Sequence, residues 1–174
     1  LNKTKNQIAL LEVLKDSKLS AEIIFLGDGN KRQSLLKASK EVPDNIKINF
    51  KGRVSRDLAI EHMLEADVSV SLSKGEGLPI AILESMYAGC FMVLSKIPPH
   101  TEISPPQERC MFVDSEDEDQ IIEAFDRVGT KAYNSLTEGE FQPFLPSAEI
   151  QQAFEENAER LGLENPYEEA QDAV

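Results

Sequence analysis

Tryptophan is absent, and cysteine and histidine occur only twice each in 174 residues. Two cysteines cannot staple a disulfide-rich scaffold, and both stand among apolar neighbours (Gly89-Cys90-Phe91 and Cys110-Met111-Phe112). They read as buried thiols of a reducing compartment, and cytoplasmic localisation is expected. With no histidine cluster, no metal site is expected either. No apolar run approaches the ~20 residues of a membrane-spanning helix, and no signal peptide opens the chain. The chain starts on Leu1 rather than Met, which suggests a piece of something longer. Basic residues are also scarce, 18 against 31 acidic ones, for a net charge of −13. Without a basic stripe or an aromatic platform, nucleic acid is not an expected partner.

What remains is ordinary globular material. The length suits one domain and can bury a sizeable core. The acidity is uneven, because residues 1–114 hold 15 acidic and 15 basic side chains while residues 115–174 hold 16 and 3. The first part can therefore host an anionic ligand, and the last part is an acidic appendage. We expect a domain over 1–128 and an acidic extension over 129–174, with one helix at about 147–161 capped by Ser147 and striped by Ile150, Phe154, Ala158 and Leu161.

Periodicity divides the first part into alternating elements. Helices are predicted over 5–14, 31–39, 55–66 and 119–128, the third with Ser55 as its N-cap. Strands are predicted over 22–27, 46–51, 68–73, 91–95 and 111–113. Alternation of this kind argues for an α/β fold with a doubly wound parallel sheet. Ligands of such sheets sit at the carboxyl ends of the strands. Gly27-Asp28-Gly29 and Gly52-Arg53-Val54 fall there, although Gly-Asp-Gly on its own could be simply a turn.

The most informative stretch is Ser73-Lys74-Gly75-Glu76-Gly77-Leu78-Pro79, followed by a helix to about Gly89. Val68-Ser69-Val70-Ser71-Leu72-Ser73 alternates as a strand with one buried face, and Ile80, Leu83, Met86 and Tyr87 fall at helical spacing. Strand, glycine-bearing turn and helix in that order gather backbone N–H groups and the positive end of a helix at one point, an anion site. Glu76 stands in the turn and Glu84 about a turn and a half into the helix. Both carboxylates could face what the turn holds. A site for an anion that also presents two carboxylates suits a ligand with phosphates and hydroxyls, as a nucleotide sugar has.

Glu76 to Glu84 resembles the E-x7-E motif of the family 4 retaining glycosyltransferases, which have the GT-B fold. Glu76-Gly77-Leu78-Pro79, Leu83-Glu84-Ser85-Met86, Ala88-Gly89 and Glu102-Ile103 resemble that family's C-terminal domain in the same order. The similarity covers roughly 5–128. It implies a Rossmann-like doubly wound parallel sheet, the C-terminal half of a GT-B fold, whose first strand would lie before Lys5. It implies the donor-binding half of a retaining, metal-independent glycosyltransferase of polysaccharide or glycoconjugate biosynthesis, using a UDP- or GDP-linked sugar and no further cofactor. The acceptor would be held by a separate N-terminal domain, through which any peripheral membrane contact would come. This chain alone is then expected to be inactive. The alternative is a catalytically silent Rossmann-like module that binds a nucleotide or a partner.

The resemblance also implies roles. Lys5, with Lys3 as the other possible alignment, contacts the donor diphosphate, and Glu76 and Gly77 face the transferred sugar. Leu78, Pro79 and Ile80 lie at the helix start beside sugar and phosphates. Asp28 and Gly29 stand beside the phosphates or ribose, and the base lies against Arg53 and Val54. Glu84 accepts from both ribose hydroxyls. Pro98-Pro99-His100 replaces the glycines usual before the Glu102-Ile103 match, and His100 reads as a surface loop residue.

Overall fold

The strand β4 (Phe91–Ser95) is buried along its whole length. Successive side chains of a strand point to opposite faces. Accordingly Phe91 and Val93 enter one apolar cluster, while Met92 and Leu94 enter another. A strand buried on both faces must be covered on both, as in parallel α/β sheets. It pairs in parallel with β3 (Val68–Ser71) on one side and β5 (Cys110–Val113) on the other. A second parallel pair joins β1 (Ala21–Leu26) to β2 (Ile46–Gly52), with the Phe25 and Phe50 rings stacked at 4.9 Å. This computed structural model describes residues 1–138, with side chains described to Val128. The helix expected over 147–161 lies outside the described residues.

Helices α1 (Gln7–Val13), α2 (Arg32–Ala38) and α6 (Glu118–Glu138) feed the first cluster through Leu10, Leu11, Leu35, Ile121 and Ala124. Helix α4 (Ile80–Tyr87) feeds the second through Ile82, Leu83 and Met86. Between β2 and β3 runs α3 (Arg56–Leu64), which packs on α4, and Ser55 caps it by accepting the Leu58 N–H at 3.2 Å. The expected Rossmann-like doubly wound parallel sheet is present. Its two pieces, β2-β1 and β3-β4-β5, follow the doubly wound order with the first strand left out. Phe25 and Ile46 nevertheless share one core with Leu72, Phe91 and Val93.

Three local differences from the sequence reading have physical causes. Strand β3 is half-buried throughout rather than buried on one face, because among the described residues it has a strand partner on one edge only. Pro98 and Pro99 open a short helix, α5 (Pro98–Glu102), instead of lying in a loop. Proline is favoured in a first helical turn, where its missing N–H is not needed. Helix α6 continues past Val128 to Glu138. The ~1 kcal/mol that Gly129 costs inside a helix does not end one anchored by Ile121, Ala124 and Val128. Helix α4 stops as predicted, since Gly89 takes a φ of +77° after Ala88 and its N–H donates to the Met86 carbonyl at 3.0 Å.

Candidate active site

Residues 1–5 cross the carboxyl ends of the strands. At one end the Leu1 amine donates to the Asp28 carbonyl at 2.6 Å, and the Lys31 N–H donates back to the Leu1 carbonyl. The Leu1 carbonyl lies 2.1 Å from where a Cβ on Gly29 would stand, so only glycine fits that approach. At the other end the Lys74 N–H donates to the Thr4 carbonyl at 2.8 Å. This crossing delivers Lys5 to the turn after β3, where its Nζ donates to Glu76 Oε2 at 2.6 Å. The two residues are 71 positions apart in sequence.

Glu76 is held from several sides. Ser73 Oγ donates to its Oε1 at 2.6 Å, and Nε2 of His100 lies 3.6 Å from the same oxygen. Its side chain is only 7% exposed. Burial opposes ionisation, but the facing His100 ring, Lys5 and Ser73 outweigh it and hold the Glu76 carboxyl down to about 2. His100 is therefore not the surface loop residue expected from the sequence. It is fully buried, because α5 carries it inward beneath the turn.

Glu84 has different surroundings. Arg56, the first residue of α3, donates from Nε to Glu84 Oε1 at 3.0 Å, across the packing of α3 on α4. The Glu84 side chain is 10% exposed and that of Arg56 26%. Arg56 was missed by the sequence reading, although its place one residue after the Ser55 cap put it at a helix start. Between the two glutamates, Gly77 is exposed, Leu78 and Ile80 are half-buried, and Pro79 is buried at the N-cap of α4. No acceptor is described for the Gly77 and Leu78 N–H groups among the described residues.

The remaining expected residues line the same strand ends without joining this cluster. Asp28 and Gly29 are exposed after β1, and Arg53 is exposed and Val54 half-buried after β2. Among the described residues no hydrogen bond or ion pair links them to Glu76 or Glu84. Burial pushes the Cys90 thiol up to about 11 and the Cys110 thiol to about 12, so neither is a nucleophile at neutral pH. The assembled features are a lysine, an ionised carboxylate and the start of an eight-residue helix at one strand end. They favour an anion beside a polyhydroxylated group.

Comparison with known proteins decides the family. The family of glycosyl transferases group 1 matches residues 1–137. The chain belongs to that family. The match runs past Val128 and takes in nearly all of α6. The chain is similar in structure to the catalytic domain of cholesterol-alpha-glucosyltransferase from Helicobacter pylori, with a TM-score of 0.58 at 19% identity over 78% of this chain and 92% of that one. It is also similar to Anabaena HepE, whose structure is a complex with UDP and glucose, with a TM-score of 0.63 at 16% identity. That likeness covers 93% of this chain but 46% of HepE, so the chain spans less than half of that protein's length. At such identities the likeness speaks for the fold, in agreement with the GT-B class expected from the motif string. No curated protein matches the sequence. Among the described residues no helix is long and apolar enough to cross a membrane.

Proposed function

We propose that the chain is the donor-binding half of a retaining glycosyltransferase, moving a sugar from a UDP- or GDP-linked donor to an acceptor held by a separate N-terminal domain. The observation that carries the reading is the junction of Lys5, Glu76 and the start of α4, made by segments far apart in sequence. Glu76 and Gly77 face the transferred sugar. Lys5 and the backbone of Leu78, Pro79 and Ile80 face the diphosphate, where negative charge grows as the glycosyl bond breaks; fixed cations and a helix start stabilise that charge. Glu84 takes the ribose hydroxyls through charge-assisted bonds. Asp28 and Gly29 stand beside the phosphates or ribose, and Arg53 and Val54 form the wall for the base. The charge is met by protein groups, so a divalent metal is not required. The UDP in the HepE complex supports a nucleotide at this kind of fold.

Calorimetric titration of residues 1–174 with UDP, GDP and their sugars tests the reading. Binding of one diphosphate series, with no sugar transfer until an acceptor-binding half is supplied, is the expected result. Binding without transfer even then would leave a silent nucleotide-binding module. Absence of binding to every nucleoside diphosphate would overturn the donor site altogether.

A further inference from the structure

Both ring nitrogens of the buried His100 face groups that fix their protons. Nδ1 lies 2.9 Å from the Ser95 carbonyl oxygen and 3.2 Å from Ser95 Oγ. A carbonyl oxygen only accepts, so Nδ1 carries a hydrogen. Ser95 Oγ agrees, since it donates its own hydrogen to the Ser73 carbonyl at 2.5 Å and turns lone pairs to the ring. In a neutral ring Nε2 would then present a bare lone pair. Yet Nε2 points at Glu76 Oε1, 3.6 Å away, and has no hydrogen-bond partner among the described residues. A lone pair against a carboxylate is repulsive in a buried site, and an N–H there is attractive.

We propose that His100 is doubly protonated at neutral pH and is the positioning residue for the Glu76 carboxylate. The positioning role rests on the reading of Glu76 as the sugar-side group; the proton does not. Glu76 then sits between two cations, Lys5 and His100, and the three side chains carry a net charge of +1. The turn can thus attract an anionic diphosphate although a carboxylate lies inside it. Among the described residues Glu76 is the charged group within ion-pair distance of the ring, while Ser73 and Ser95 tie the turn and β4 around it. Being fully buried, His100 makes no direct contact with a donor, and its hold on the position of the sugar runs through Glu76.

Ring nitrogen NMR on residues 1–174 at pH 7 tests the proton without any ligand, with His62→Gln used to assign the two histidines. Both His100 nitrogens should carry protons, and Glu76→Gln should leave one of them bare. A bare Nε2 in the unsubstituted chain overturns the proposal. The positioning role is read from the gain in affinity of UDP-glucose over UDP, or of the GDP pair if that series binds. That gain should fall about tenfold in His100→Leu, the worth of one charge-assisted hydrogen bond. It should return in His100→Gln, whose amide can donate toward Glu76. An unchanged gain in His100→Leu, or no rescue by His100→Gln, overturns the positioning role. If no nucleotide binds the unsubstituted chain, the donor-site reading fails and ring NMR still decides the proton. Should His100→Leu not fold, ring NMR decides the proton and the gain in His100→Gln, expected to match that of the unsubstituted chain, decides the positioning role.

Discussion

Glu76 and Glu84 stand eight residues apart on one strand–turn–helix unit, yet the chain holds them by different means. Glu76 is met by Lys5 from the N-terminal crossing, by Ser73 of its own turn and by His100 from α5. Glu84 is met by Arg56 of α3, an ion pair whose arginine side is about a quarter exposed. A carboxylate caged by several elements keeps one position and one charge. A carboxylate held by one arginine gives up fewer contacts when ligand hydroxyls replace that partner than one held by three groups does. The fixed group suits the reacting end of a donor, and the exchangeable group suits recognition of its ribose.

The largest expected effect lies at the fixed end. With an acceptor-binding half supplied, Glu76→Ala should lower turnover by about 100-fold or more, the scale seen when a preorganised polar group is removed. Unchanged turnover would reduce Glu76 to a turn residue. The same group should dominate acid stability. Its folded-state pKa lies below the ordinary value, so its contribution is complete above pH 4.5 and is lost as pH falls from 4.5 toward about 2. The loss is about 3 kcal/mol by linkage. Urea titrations across that interval should show it in the parent chain and not in Glu76→Gln.

At the exchangeable end the effect is smaller and falls on affinity. Glu84→Gln should weaken nucleoside diphosphate binding by about 10- to 100-fold, the worth of charge-assisted hydrogen bonds, with little change in Tm. Equal affinity in calorimetry would remove Glu84 from the ribose. The smallest effect expected is none: EDTA should leave diphosphate binding unchanged, and loss with recovery on adding magnesium would show that Lys5 and the α4 start do not suffice.

What could be read from the sequence was local. The strand over 91–95, the Ser55 cap, the Gly89 stop and the strand–turn–helix around Glu76 each depend on neighbours a few residues away, and each is present. What could not be read depends on distant segments. Lys5 meets Glu76 because residues 1–5 cross two turns, and Arg56 meets Glu84 because α3 packs on α4. His100 looked like a loop residue because two prolines precede it. Those prolines start a helix instead, and the ring turns inward. Resemblance had named Lys5, Glu76 and Glu84, but neither spacing nor composition could say which carboxylate was caged.

The division between the two glutamates is tested most directly by one double comparison, calorimetric affinities of the parent, Glu76→Ala and Glu84→Gln chains for a nucleoside diphosphate and for the matching nucleotide sugar. Glu84→Gln should lower both affinities alike. Glu76→Ala should spare the diphosphate and remove the part of the affinity that the sugar contributes. Loss of diphosphate binding in Glu76→Ala with no loss in Glu84→Gln would contradict the account.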